Sequence, residues 1–171
     1  MSPAVLGETA DAGDREAAAS PGQQPKPVIF SVGAVFPIQA SSESGLAVEF
    51  ERDWSFGATG QIPLASHCRL GAFFDYNRMK PLTSLFVWGG ELVGSQKITG
   101  ALRLEGSAGV GYSILHGSLQ SFDEGQGMLR FLARIVFQKR GKIGCAVEAV
   151  YWNNGGTLLG DFSGLRIGVV F

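Results

Sequence analysis

A strict alternation of side chains at the carboxyl end most constrains what this chain can fold into. Over residues 161–171, Leu165, Ile167 and Val169 occupy every second position, and Arg166 lies between them among glycines. Successive side chains of a β-strand point to opposite faces, so one face is apolar and the other holds the charge. This pattern is typical of a transmembrane β-barrel strand, which turns its apolar face to lipid and its polar face inward.

The same alternation recurs upstream and predicts eight strands in the segment 27–171. They are expected at 28–36, 46–54, 67–77, 84–93, 98–112, 127–138, 142–153 and 161–171. An even number of antiparallel strands can close on itself, and closure removes the strand edges that hydrocarbon cannot solvate. The predicted fold is therefore all-β, an eight-stranded antiparallel up-and-down transmembrane β-barrel.

The connectors between these strands differ in length. Residues 94–97 and 139–142 read as tight turns, and residues 116–125 and 154–160 read as longer loops. Short turns of such barrels are periplasmic and long loops are external. Residues 55–66 depart from this scheme, because they form a long connector where a short turn is expected.

One phase assignment serves all the strands, with apolar residues outward and charges inward. The outward positions include Phe30, Leu70, Phe74, Trp88, Leu104, Phe131, Ile135 and Val147. The inward charges are Glu49, Glu51, Asp53, Asp75, Glu91, Glu105, Glu148, Arg69, Arg103, Arg130, Arg134 and Arg166. Ions removed from water must be paired, so this mixed set predicts a hydrogen-bonded interior or a wet lumen. Eight strands leave little free space inside, and we predict no porin-like conductance.

Composition narrows the functional classes. Fourteen Lys+Arg residues, a net charge of −1 and the lack of a basic run argue against nucleic acid as a partner. Residues 1–26 are rich in Ala, Pro, Gly and Gln and read as a disordered amino-terminal arm without an intact secretory signal. Cys68 and Cys145 fall on non-adjacent strands, so we expect no disulfide, and one pair of cysteines lacks the spacing of zinc ligands, so we expect no metal site. We expect no cofactor either. Aromatic residues near strand ends are expected to be membrane-interface anchors, namely Trp54, Tyr76, Tyr112, Tyr151 and Phe171.

The segment that could support chemistry is Val147–Gly156, which leaves the seventh strand for an Asn/Gly loop that returns at Asp161. In this stretch and in architecture the chain resembles the outer-membrane lipid A 3-O-deacylases, also called acyloxyacyl hydrolases. Their penultimate strand ends in a His-x-Ser-Asn-Ala/Gly-Gly-like motif, and their last strand opens with a catalytic Glu. The resemblance places Tyr151 at the histidine, Asn153 at the serine nucleophile and Asp161 at the glutamate.

These replacements predict a disabled site. Asparagine offers no hydroxyl, and tyrosine, with a pKa near 10, is a poor general base at neutral pH. The resemblance implies residence in the bacterial outer membrane, with membrane lipid or lipopolysaccharide as partner and Trp152, Asn154 and Gly155 as binding residues. The terminal Phe171 is expected to contact the outer-membrane assembly machinery. The favoured function is a structural or lipid-binding barrel that resembles lipid A deacylases but is inactive.

Two alternatives remain open at the level of sequence. One is an active lipid A esterase with a rearranged site, in which His116 activates a serine among Ser113, Ser118 and Ser121. The other is a soluble lipocalin-like binder of apolar ligands, which requires the opposite phase, with aromatics inside and charges in water.

Overall fold

The structure, a computed structural model, describes residues 27–39, 53–79, 83–117, 123–139, 142–153 and 161–171. Eight antiparallel strands pair in sequence order, and the last pairs with the first to close a barrel. The strands are β1 (Val28–Gln39), β2 (Asp53–Ala65), β3 (Cys68–Met79), β4 (Thr83–Lys97), β5 (Leu102–Gly117), β6 (Asp123–Phe137), β7 (Gly144–Asn153) and β8 (Asp161–Val170). The predicted fold class is confirmed. Within the described segments, no helix is long and apolar enough to cross a membrane.

The strands are staggered around the barrel. Paired residues followed strand by strand from Glu105 on β5 lead around the sheet to Leu115, ten residues further along the same strand. Strand number and stagger together fix the diameter, and an eight-stranded barrel is just wide enough for its own side chains.

The second strand differs from its predicted position. It spans Asp53–Ala65, so most of the predicted connector 55–66 is strand, and the turn to β3 is only Ser66–His67. The sequence pattern did not predict this strand because it contains Gly57, Gly60 and Pro63, and neither glycine nor proline favours strands. The predicted phase was nevertheless right at Trp54, which is exposed, and the alternation continues into Ser55, which is buried. Of the predicted strand 46–54, residues 46–52 lie outside the described part.

Several other boundaries also move. Residues 94–97, predicted as a turn, continue β4, and the chain reverses at residues 98–101. We call this end of the barrel, where Ser66–His67 also lies, the turn end, and the opposite end the loop end. Strands β5 and β6 extend toward the loop end through part of the predicted loop 116–125. Short turns of such barrels are usually periplasmic, so we expect the turn end to face the periplasm.

The outward surface is an apolar belt, as the phase assignment predicted. Exposed apolar residues occur on every strand; they include Val32, Ile62, Leu70, Leu92, Val110, Ile135, Val147 and Ile167. Aromatic side chains pack against each other toward the loop end, where the ring centroids of Trp54 and Tyr76 are 5.1 Å apart. Those of Trp88 and Tyr112 are 5.7 Å apart. A water-soluble barrel would leave this belt uncovered, whereas a bilayer covers it.

Apolar residues fill two regions of the interior. The larger cluster comprises Val35, Phe73, Leu85, Val87, Met128, Leu132, Val150, Trp152 and Phe162. The smaller cluster lies toward the turn end and comprises Ile29, Val136, Ala146 and Val170. No cluster member is more than 5% exposed. The lipocalin-like alternative required the charges to face water and is wrong on that point, because the charged side chains share this interior.

The inward charges form a paired network across the barrel. Glu105, Arg134, Glu148 and Arg166 face one another in register on β5 to β8. Arg134 donates to Glu148 at 2.6 Å and to Glu105 at 3.2 Å. Such alternation of sign lets each buried ion be neutralised by its cross-strand neighbour.

Asp75 is the central acceptor of a second group of paired charges in this network. Its carboxylate accepts hydrogen bonds from Arg166 at 2.6 Å, Arg130 at 2.9 Å and the Trp152 indole at 3.0 Å. Arg130 also donates to Glu91 at 2.5 Å. The interior is thus occupied by side chains, and the absence of porin-like conductance stays a prediction for a bilayer recording.

Candidate functional site

The structure brings Tyr151, Asn153 and Asp161 together on the outward face at the loop end. The Tyr151 hydroxyl donates a short hydrogen bond to Asp161 Oδ2. Asn153 Nδ2 donates to Asp161 Oδ1 at 3.1 Å and to Oδ2 at 3.3 Å. Residues two apart on β7 share a face, and β8 begins beside them, so this polar cluster follows from the strand geometry.

The three side chains of the polar cluster differ in chemistry from the residues of an acyl-transfer site. Such a site needs a nucleophile, a base that takes its proton and a third group that orients the base. Here Tyr151 and Asn153 both donate to the same carboxylate, that of Asp161. The arrangement can accept further hydrogen bonds at Asp161, but its three side chains contain no activated hydroxyl.

Sequence reasoning missed one neighbour of this cluster. Ser163 lies directly opposite Tyr151 in the pairing of β7 with β8. It is partly exposed and lies two residues after Asp161, on the same face of β8. The two-residue spacing from Asp161 could have indicated this neighbour, because the outward phase of β8 was already assigned.

An apolar groove extends from Tyr151 toward the middle of the belt. Its volume is about 980 Å³. It exists because small residues stand in register on three adjacent strands, with Gly106 opposite Ala133 and Ala133 opposite Ala149. Larger side chains border it, namely Phe131, Tyr151 and Leu165. We call this feature the lipid-face groove.

The three predicted binding residues are placed differently. The Trp152 side chain is fully buried inside the barrel, where its ring lies 4.9 Å from the Arg166 guanidinium. Alternation along β7 turns it away from its neighbours Tyr151 and Asn153, so Trp152 does not reach a lipid outside the barrel. Asn154 and Gly155 lie outside the described residues.

The rearranged esterase site predicted around His116 does not form with Ser113. The Ser113 side chain is buried and its hydroxyl is 3.4 Å from the Gln126 carbonyl, whereas His116 is exposed on the opposite phase of β5. Ser118 and Ser121 lie outside the described residues. His116 is also remote from the polar cluster. Asn153 is level with Leu129 on β6 and Val110 on β5, and His116 lies six residues, or roughly 20 Å, further along β5.

Metal ligands do not cluster in the parts of the chain that the structure describes. Cys68 and Cys145 are both free thiols.

The similarity of this chain to known proteins lies in structure. No protein-family model matches it, and no curated protein sequence matches it. Neisserial surface protein A superposes with a TM-score of 0.66 at 10% identity, over 84% of this chain and 94% of that protein. The amino-terminal β-barrel domain of Pseudomonas aeruginosa OprF gives 0.58 at 13% identity, over 85% and 98%. The outer-membrane enzyme PagL gives 0.51 at 14% identity, also over 85% and 98%.

Identities this low show a shared fold and nothing finer. The closed eight-stranded barrel agrees with the fold of these neighbours. The chain is an integral β-barrel protein of the bacterial outer membrane.

Proposed function

We propose that this barrel binds the acyl region of an outer-leaflet lipid, of the lipopolysaccharide type, in the lipid-face groove and does not hydrolyse it. The observation on which the proposal depends is the position of the groove. It opens on the lipid side and ends at the polar cluster of Tyr151, Asn153 and Asp161. An apolar groove that ends in hydrogen-bonding groups matches a lipid chain joined to a polar head.

Packing supplies the attraction for the acyl chain. Within a bilayer, apolar contact alone does not distinguish protein from lipid, so association depends on close approach and on hydrogen bonds. The small side chains at Gly106, Ala133 and Ala149 let an acyl chain approach the backbone of three strands. Phe131 and Leu165 then contact it from the sides.

The polar cluster supplies the second contact. An ionised carboxylate has about four lone-pair positions, and Asp161 uses only part of this capacity on Tyr151 and Asn153. A hydroxyl or amide N–H at the head of the acyl chain can donate to the remainder. The short bond from Tyr151 holds the carboxylate at the border of the groove.

A groove-filling variant tests binding. We expect Ala149→Leu, in full-length protein refolded in non-ionic detergent, to weaken lipopolysaccharide binding about ten-fold, which corresponds to about 1.4 kcal/mol. Ala72→Leu is the matched control, because Ala72 is also exposed on the belt but lies on β3, away from the groove. Fluorescent lipopolysaccharide displacement provides the measurement. Equal affinity of the two variants would contradict the proposal.

A second experiment tests the inactive site. The unaltered protein should release no fatty acid from lipopolysaccharide. The double variant Tyr151→His with Asn153→Ser introduces the residue types of the resembled family, and we expect it to gain detectable acyl release. Tyr151→His with Asn153→Ala is the control without a nucleophile and should stay inactive. Release by the unaltered protein would refute the inactive site, whereas failure of the double variant would refute only the positional match.

A further inference from the structure

A polar cavity lies at the opposite end of the barrel, inside the turn-end mouth. A cavity of about 330 Å³ opens there between β3, β4, β5 and β6. Three inward cations line it: Arg69, Lys97 and Arg103. His67 and the hydroxyl groups of Ser66, Ser95 and Thr99 complete the polar lining. We call this the basic cavity.

The charges of the basic cavity do not balance. Glu105 is the inward carboxylate among them, and its Oε1 accepts from Arg69 and from Arg103, each at 2.6 Å. Its other oxygen accepts from Arg134 at 3.2 Å. One carboxylate therefore serves three arginines, and Arg134 has only Glu148 besides. In contrast, Arg130 and Arg166 are matched one for one by Asp75 and Glu91.

Two cations of the cavity face each other directly. Lys97 and Arg103 are paired residues on β4 and β5. Like charges at directly opposed positions destabilise a sheet, so this pair is costly unless an anion lies between them. Lys97 makes no ion pair with any described residue, and Arg103 Nη2 is buried without a hydrogen-bond partner. Both side chains therefore have N–H donors that no described carboxylate accepts.

We propose that the basic cavity binds a phosphate group from the periplasmic side. Arginine guanidinium groups present several N–H donors in a planar fork that fits phosphate oxygens, and the lysine adds a mobile point charge. The two sources that reach this mouth are free inorganic phosphate and the headgroup of an inner-leaflet phospholipid. Either one neutralises the positive charge that remains after Glu105 has paired with the arginines around it.

Calorimetric titration of the full-length protein in a phosphate-free maltoside detergent tests this site. Inorganic phosphate should bind, and chloride at equal ionic strength should not. We expect Lys97→Gln to weaken phosphate binding about ten-fold, as for loss of one charge-assisted hydrogen bond. Arg103→Gln should weaken it at least as much. Arg78→Gln is the control, because Arg78 is exposed near the loop end and its nearest carboxylate, Asp53, is 3.8 Å away.

Lys97→Gln keeps the test valid if loss of Arg103 disturbs folding, since Lys97 is exposed and bonds no interior carboxylate. Binding that is absent, or equal in Lys97→Gln and Arg78→Gln, would overturn the proposal. A short-chain phosphatidylglycerol then separates the two sources. Competition with phosphate shows that a lipid headgroup can occupy the same site, and lack of competition leaves the free anion as the occupant.

Discussion

At the scale of single residues, the Asp75 carboxylate joins three buried side chains from distant parts of the chain. It accepts from two arginines and a tryptophan that lie 55, 91 and 77 residues away along the chain. Burial of an ion is costly, and the cost is recovered only when several donors are arranged around it. Removal of Asp75 therefore affects Arg130, Arg166 and Trp152 together.

We predict that Asp75→Ala lowers the free energy of unfolding by about 3–5 kcal/mol, because it leaves two buried guanidinium groups without their shared partner. Urea unfolding in lipid vesicles, followed by the heat-dependent shift in electrophoretic mobility, measures the change. The control Arg78→Ala removes an exposed cation from a 3.8 Å pair and should cost less than about 1 kcal/mol. Similar losses in both variants would mean that the network contributes little.

The candidate site was only partly predictable from individual residues. Tyr151 and Asn153 share a face by their spacing, and Asp161 opens the neighbouring strand, so their proximity could be inferred. The lipid-face groove could not, because its depth depends on Ala133 and Ala149 standing side by side. Such a coincidence depends on the register between strands, which period-2 patterns within one strand do not contain.

At the scale of strands, the error in β2 shows what alternation can and cannot predict. The phase of Trp54 followed from parity and was right, although the predicted strand ended there. Beyond it, glycines and Pro63 break the apolar pattern while the backbone still pairs with β3. Strands end where pairing ends, and pairing with β3 extends β2 regardless of its own weak propensity.

The seam between β1 and β8 closes the barrel and depends on a close backbone approach at Gly33. A Cβ atom on Gly33 would lie 1.9 Å from the Leu165 carbonyl oxygen and 2.6 Å from the Arg166 Cα atom. Both are backbone atoms of β8, so the strands would have to separate. We predict that Gly33→Ala costs about 1–3 kcal/mol or more by overpacking.

Gly60→Ala is the matched control for this seam, because a Cβ atom at Gly60 on β2 meets no atom within 4 Å. It should be neutral or slightly stabilising, since alanine restricts the unfolded chain. Both variants are compared by urea unfolding of the refolded barrel. Equal stability of Gly33→Ala and Gly60→Ala would show that the seam tolerates a wider strand separation.

At the scale of the whole molecule, the barrel is inverted relative to a soluble protein, with its ions inside and its apolar residues outside. Closure satisfies the backbone, and the paired network satisfies the interior charges, so the outward surface needs no polar groups. The sequence could predict this arrangement because both faces of each strand are recorded in one alternating pattern.

The cost of placing a charge on the apolar belt should depend on its depth in the bilayer. Val147 is 50% exposed in the middle of the outward face of β7, and Ile143 is 70% exposed just before β7, at the turn end. We predict that Val147→Arg lowers the free energy of unfolding in a bilayer by about 2–4 kcal/mol, because the charge lies in hydrocarbon. Ile143→Arg should cost only about 0–1 kcal/mol, because its side chain reaches the interface. Reversible guanidinium unfolding in vesicles provides both values. If Val147→Arg is as harmless as Ile143→Arg, the outward face does not lie in hydrocarbon.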